Sequence, residues 1–170
     1  MSPIIDDRLR QVYEYWRRKA GARPLPSRRD IDPVEIPRLL PHIMLVDVMG
    51  AALYRYRLIG TEIATAMGVK ATGRLVHEML LDDGYRAYVL DLYDTVVRER
   101  RALYTENVFL SPHHGVTERN TKRVMLPLSV DGEIVNMVLV AQIFSYVGET
   151  ARNRHFIDPR PHDEVARAML

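Results

Sequence analysis

With 170 residues, a formal net charge of +2 and no cysteine, the chain fits one domain that buries a core without covalent staples. The missing thiol excludes disulfides, thiolate metal sites, cysteine nucleophiles and cysteinyl-flavin photochemistry. The 24 basic and 22 acidic residues nearly balance, which argues against nucleic acid as the main partner, although arginines cluster at Arg17 and Arg18 and at Arg28 and Arg29. Apolar runs such as 134–143 are interrupted and too short to cross a bilayer, and no signal-peptide pattern precedes Asp6 and Asp7. A soluble, cytoplasmic protein is expected.

Residues 4–19 read as an amphipathic helix. Ile5, Leu9, Val12 and Trp16 share a stripe with Tyr13 beside it, Arg8, Arg10, Glu14, Arg17 and Arg18 lie elsewhere, and Gly21 is placed to stop it. Asp32, Pro33 and Glu35 give a second start signal, kept short by Pro37 and Pro41, with Ile36, Leu39 and Leu40 as anchors under a loop. Residues 42–48 and 53–59 read as an antiparallel hairpin around Gly50, Ala51 and Ala52.

From 53 to 81 the chain alternates strand, Gly60, short helix, Gly68, Gly73 and short helix. Helices of one or two turns are marginal alone and must be held on a sheet, so this stretch reads as a lid. Asp82 or Asp83 caps a longer helix over 84–100, with Tyr85, Tyr88, Val89, Leu92, Val96 and Val97 on one face and Arg86, Asp91, Asp94, Arg98 and Glu99 mostly opposite. Strands follow at 103–110, 122–130 and 133–144, the last two joined at Asp131 and Gly132. The tail is polar and ends at 162–170 on what reads as a helix just beginning. The expected fold is α+β: a five-stranded antiparallel sheet with helices inserted after the second strand. The expected division is an N-terminal helix and connector (1–41), a core (42–145) and a polar tail (146–170).

A two-residue turn at Asp131-Gly132 sets Val130 opposite Glu133 and sorts the last hairpin into two faces. One collects Val124, Leu126, Leu128, Val135, Met137, Leu139 and Ala141 and is expected to meet the inserted helices. The other collects Thr121, Arg123, Met125, Ser129, Ile134, Asn136, Val138, Val140 and Gln142 and is expected to meet the N-terminal helix or a second subunit. Tyr54, Tyr56 and Leu58 are expected on one face of their strand, with Arg57 at the rim.

The runs EYWRRKAG (14–21), RRDIDPVEIPRLLPHIMLVDV (28–48), YRYRLIGTEI (54–63) and GVKATGR (68–74), in this order of elements, resemble a PAS domain, and among these the small bacterial family PAS_5. The resemblance spans roughly 14–144. It implies a sensory or regulatory module with a small molecule or a packed core between the inserted helices and the sheet. The ligand-lining residues it suggests are Tyr56, His77, Tyr85, Tyr88, Leu92, Val124, Leu126, Met137, Leu139 and Ala141, around a largely apolar ligand. Flavin-binding members carry a glutamine where Ala141 is expected to stand, and haem-binding members a histidine on or near the long helix, where only His77 approaches; neither cofactor is expected. A homodimer is expected through Ile5, Leu9, Val12, Trp16, Val138 and Val140, or a signalling protein as partner.

Catalytic patterns are missing. His77-Glu78 lacks a second histidine at zincin spacing, His113-His114 has no ligating neighbours, and Asp91 and Asp94 read as solvated. No metal site, no enzyme and no membrane association are expected. The alternatives are a small cone-shaped α+β enzyme, which needs a buried acid–base pair, and a nucleic-acid-associated regulator using Arg17, Arg18, Arg28 and Arg29.

Overall fold

The computed structural model describes residues 4–110, 118–146 and 162–170. Helix α1 (Asp7–Ala20) begins where the Asp6 carboxylate accepts the Arg8 amide at 2.9 Å and ends at Gly21, with φ 59°. Leu9, Val12 and Trp16 are buried as the stripe requires, joined by Tyr15 and Ala20. Ile5 departs from the expectation: it precedes the helix and is 70% exposed, while Ile4 is buried. Three 3-10 turns (Arg28–Asp30, Pro33–Glu35, Leu40–His42) follow, the second capped by Asp32. The Tyr15 hydroxyl clamps this connector, accepting the Asp32 amide at 2.8 Å and donating to its carbonyl at 3.2 Å.

Strands β1 (Ile43–Gly50), β2 (Leu53–Ile59), β3 (Leu103–Leu110), β4 (Glu118–Ser129), β5 (Val135–Tyr146) and β6 (His162–Met169) form one sheet in the order β2-β1-β5-β4-β3-β6, every pair antiparallel. Helices α2 (Thr61–Met67), α3 (Val76–Met79) and α4 (Asp83–Glu99) are inserted between β2 and β3. The α+β plan holds with a sixth strand added. Residues 162–170, read as an incipient helix, instead pair along β3 from His162 to Met169, because the open amide edge of β3 outweighs the local helical preference of Ala166-Arg167-Ala168, too short a run to stand as a helix alone.

The glycine-rich stretch folds as its punctuation implies. Gly68 closes α2 with φ 70°. Gly60 is needed for space, not for φ: a Cβ there would lie 2.3 Å from the Leu40 carbonyl oxygen. Residues 73–75 pair with the outer edge of β2, the Gly73 amide donating to Tyr56 O at 2.6 Å and the Tyr56 amide to Arg74 O at 3.0 Å. The link between the short helices therefore covers an otherwise open edge. α4 starts at Asp82, which accepts the Tyr85 amide at 2.6 Å.

The β4–β5 connection is longer than two residues. Asp131 Oδ1 accepts the Ser129 hydroxyl (2.8 Å) and the amides of Glu133 (2.9 Å) and Ile134 (2.8 Å), and a bulge follows Leu128. Val124 thus faces Ala141, not Leu139. The slip is an even number of residues, so each side chain keeps its face.

What changes is which layer each face meets. Thr105, Arg123 and Gln142 stand in register across β3, β4 and β5, and Arg123 reaches Tyr85 on α4. The mixed face, with Met125, Val138 and Val140, is therefore the inner one, under α4. The apolar face, with Val124, Leu126, Met137, Leu139 and Ala141, is turned away from α4. Tyr104, in register with Val124, feels the Asp6 charge at the start of α1, which contacts β4 and β5 on that side. Apolarity alone does not identify the inner face, because helices cover both. The most apolar face suits α1, whose Leu9, Val12 and Trp16 offer it only carbon and one indole N–H.

β4 carries Pro127 although it is an interior strand. Pairing with β3 ends at Leu103–Met125, so the absent N–H falls where β4 has outrun its neighbour. There Trp16 Nε1 donates to the Pro127 carbonyl at 2.9 Å, and the Ser129 amide to Pro26 O at 3.0 Å. α1 and its connector complete the edge that β3 leaves open.

Candidate functional site

Two cross-strand rows give the inner face a polar end. One runs Arg167, Thr105, Arg123, Gln142 across β6, β3, β4 and β5; the next runs Glu164, Asn107, Thr121, Phe144. Beyond them the face turns apolar, through Leu103, Met125, Val140 and Met44 and then Pro127, Val138, Val46 and Tyr56. α4 spans it. Tyr85 accepts from Arg123 Nη2 at 3.1 Å, Tyr93 stacks on Tyr54 at 4.9 Å, and the Tyr54 hydroxyl donates to Asp94. On the far side Arg167 holds Asp91 and Glu164, each at 2.8 Å, under the ring of Tyr88.

Arg123 is 3% exposed and has no ion-pair partner among the described residues. Burial opposes its charge, but the ring oxygens of Tyr85 and Tyr88 outweigh that and raise its affinity for the proton. Burial pushes Tyr56 and Tyr93 well above the usual phenol range, so both stay protonated and supply no counter-charge. Around Arg123, the buried Nε of its own guanidinium, Thr105 Oγ1, Thr121 Oγ1 and Asn107 Oδ1 meet no hydrogen-bond partner among the described residues. Each such orphan costs about 1–3 kcal/mol, and buried charges are otherwise paired. Four of them fall on one patch of the inner face.

The expected site residues divide. Tyr56, Tyr85, Tyr88 and Leu92 lie on β2 and α4 in this layer, Tyr56 and Leu92 buried and the other two half-buried. His77 is half-buried on α3, which packs on β2 and α4. Val124, Leu126, Met137, Leu139 and Ala141 are buried on the α1 side, away from them. The expected dimer contacts Leu9, Val12, Trp16, Val138 and Val140 are all buried inside the chain's own core; of that set Ile5 alone is exposed. Gln142, not Ala141, stands on the inner face of β5, so the argument against flavin from Ala141 falls and only the missing cysteine remains of it. Arg57 sits at the rim as expected, 2.7 Å from Asp47, which also takes Arg55 at 2.9 Å. Burial works against the Asp47 charge, but these two arginines hold its carboxyl below the usual range. Leu58 leaves the Tyr54–Tyr56 face because a bulge intervenes between Leu45 and Val46, and it is 44% exposed. Asp94 is bonded rather than solvated. His113 and His114 lie outside the described residues.

Thr105, Asn107, Thr121 and Arg123 were the residues missed as a site. The available signal was local: threonine, asparagine and arginine at alternate positions of two adjacent strands whose other alternates are apolar or ion-paired. Elsewhere, a surface groove of about 350 Å³ lies between α1 and the connector. Glu14, Arg18, Glu35 and Arg38 line it with both signs of charge. No group of three or more His, Asp or Glu side chains fit to hold a metal occurs among the described residues, and no helix there is long and apolar enough to cross a membrane.

No curated protein matches the chain. A family model does: the PAS domain family PAS_5 matches residues 6–139, taking in α1, the connector and the sheet as far as Leu139 on β5. The strand order, the helices inserted after β2 and this match together make the chain a member of the PAS_5 family of PAS domains, a family whose modules generally sense or regulate.

Proposed function

We propose that the chain is a non-catalytic PAS sensor of the bacterial cytoplasm that takes a small molecule against the inner face beneath α4. Binding repacks α2–α4 on the sheet, and the change is read by a second copy or by a signalling protein. The carrying observation is the buried patch of unpartnered polar atoms around Arg123 in a fold of sensory type. It shifts the expected ligand from largely apolar to one with a polar end against Arg123 and an apolar end against Met125 and Val140.

A cone-shaped enzyme needs a buried acid–base pair. Among the described residues the buried carboxylates are Asp47 and Glu106, both on the α1 side and both ion-paired, which supports the non-catalytic reading. The N-terminal arginines are partly engaged as well: Arg17 lies over Tyr13, Arg18 over Tyr15, and Arg28 donates to Ile31 O.

Native mass spectrometry of the intact chain tests the proposal. A retained or added small molecule that binds one per chain supports it, and a chain that takes up none defeats it. Neither flavin nor haem is proposed, since α4 has no histidine and the chain no cysteine. The purified protein is expected to show no absorbance above 350 nm or so; a stoichiometric flavin or haem band would refute this.

A further inference from the structure

We propose, building on the reading that a second copy receives the signal, that two chains pair through the outer edge of β6. They run antiparallel about a two-fold axis normal to the sheet, with each Glu164 opposite Arg167 of the partner subunit. Two other surfaces are already taken: the apolar stripe of α1 is buried in the chain's own core, and residues 73–75 cover the outer edge of β2. β6 ends the sheet, and among the described residues its other edge meets no strand. From Glu164 to Leu170 every residue is exposed or half-buried, Val165 being 60% exposed. The Leu170 amide donates to Ala102 O at 2.8 Å, so alternation turns the amides and carbonyls of Arg167 and Met169 toward the open edge.

Register and charge name the occupant. Glu164 and Arg167 are three positions apart, which on a regular strand puts two side chains on opposite faces. A bulge between them, where β6 passes Glu106 and Asn107, brings both to the inner face, opposite Asn107 and Thr105. A two-fold axis between Val165 and Ala166 then opposes Glu164 and Arg167 at two places and sets the bulge of one chain against that of the other. Centring the axis on Glu164 or on Arg167 would instead face two carboxylates or two guanidiniums. Both side chains keep exposure enough to reach across, Glu164 33% and Arg167 32%. Bulges and charges blunt an edge toward strands in general; here they admit a second copy in one register. Arg167 also holds Asp91 on α4 at 2.8 Å, so a shift of α4 reaches this edge directly. A ladder of 8 residues belongs with small, transient interfaces, below about 1,200 Å².

Sedimentation equilibrium of the full chain, from micromolar to millimolar concentration, tests this. A reversible monomer–dimer equilibrium is expected. Glu164→Arg and Arg167→Glu are each expected to weaken it at least about tenfold in Kd, since like charges then face each other at two places. An equimolar mixture of these two variants is expected to form a heterodimer at close to the parental affinity, because every opposed pair is again of opposite sign. Val165→Asp, which leaves Arg167 and Asp91 in place, is expected to dimerise more weakly while melting at the parental temperature. A mixture that associates no better than its components would overturn the proposal, and so would a dimer that persists unchanged in Val165→Asp. A dimer lost in Glu14→Arg, on the exposed side of α1, and kept in the β6 variants would move the interface to that helix and leave a second copy as the receiver. A chain monomeric at every concentration would reject the β6 edge and the second copy together. Ligand uptake in native mass spectra is a separate readout, so a failed edge with a bound ligand leaves the sensor standing.

Discussion

At the scale of single residues, charge placement is governed by who shares the buried space. Asp131 is the clearest case on the surface. Its carboxylate gathers the Ile134 and Glu133 amides and the Ser129 hydroxyl, which together lower its pKa from 3.8 to about 2. A pKa lower in the folded chain than in the unfolded one stabilises above the unfolded value and is lost as pH falls through the folded value. Asp131→Ala is therefore expected to melt earlier than the parent at pH 7. The gap between the two should narrow between about pH 4 and pH 2, as followed by circular dichroism. A gap constant across that range would show that the carboxylate charge is not what closes the loop. Arg123 poses the opposite case, a charge whose local partners are all neutral, and it was invisible as such in the sequence. Arginine in a strand reads as exposed on base rates, and only the register with Thr105 and Gln142 and the reach to Tyr85 reveal it as buried.

At the scale of elements, most of the chain was legible because its punctuation is strong. Asp6-to-Gly21, the Asp32-Pro33 start, the Asp82 cap and the glycine stops each have one local solution. Gly60 is the most exacting. Gly60→Ala drives a methyl group into the Leu40 and Pro41 carbonyls, at 2.3 and 2.4 Å, where only backbone movement gives relief. A loss of about 1–3 kcal/mol in urea unfolding is expected, with the slope unchanged. Full stability in this variant would mean that the Leu40–His42 turn moves freely against α2. Two readings failed for the same physical reason, that local pattern does not name its partner. Residues 162–169 have helix-tolerant composition, yet the unpaired edge of β3 makes them a strand. The β4–β5 faces were separated correctly by parity but assigned to the wrong layers, since α1 and α4 both cover the sheet and α1 takes the more apolar side. That exchange carried the expected ligand residues Val124, Leu126, Met137, Leu139 and Ala141 outward, and brought Val138 and Val140 in.

At the scale of the whole molecule, the sheet is a wall between two dissimilar layers. On the α1 side, Leu9, Val12 and Trp16 meet the sheet through carbon and one buried indole hydrogen bond, and the buried Asp47 and Glu106 are each held in an ion pair, a surface suited to permanence. Removing α1 would strip this core, so dimerisation is better probed with the exposed side of that helix than by truncation. On the α4 side the contacts are polar, partly unmatched, and made by a helix held at opposite edges of the sheet. At the β2 edge the fastening is the Tyr54 phenol on Asp94; burial, then Asp94 itself, pushes that phenol well above its usual range, so it keeps its proton. At the β6 edge it is ionic, Arg167 on Asp91, with the Asp91 side chain 56% exposed. Dissolved ions weaken the second and hardly touch the first. Raising salt from about 0.05 M to about 0.5 M should therefore swing α4 open like a door on the Tyr54 side. Amide exchange would quicken at 88–91 before 93–97, and uniform quickening would deny the door its hinge. A sensor built this way would answer to the ionic strength of its surroundings as well as to its ligand.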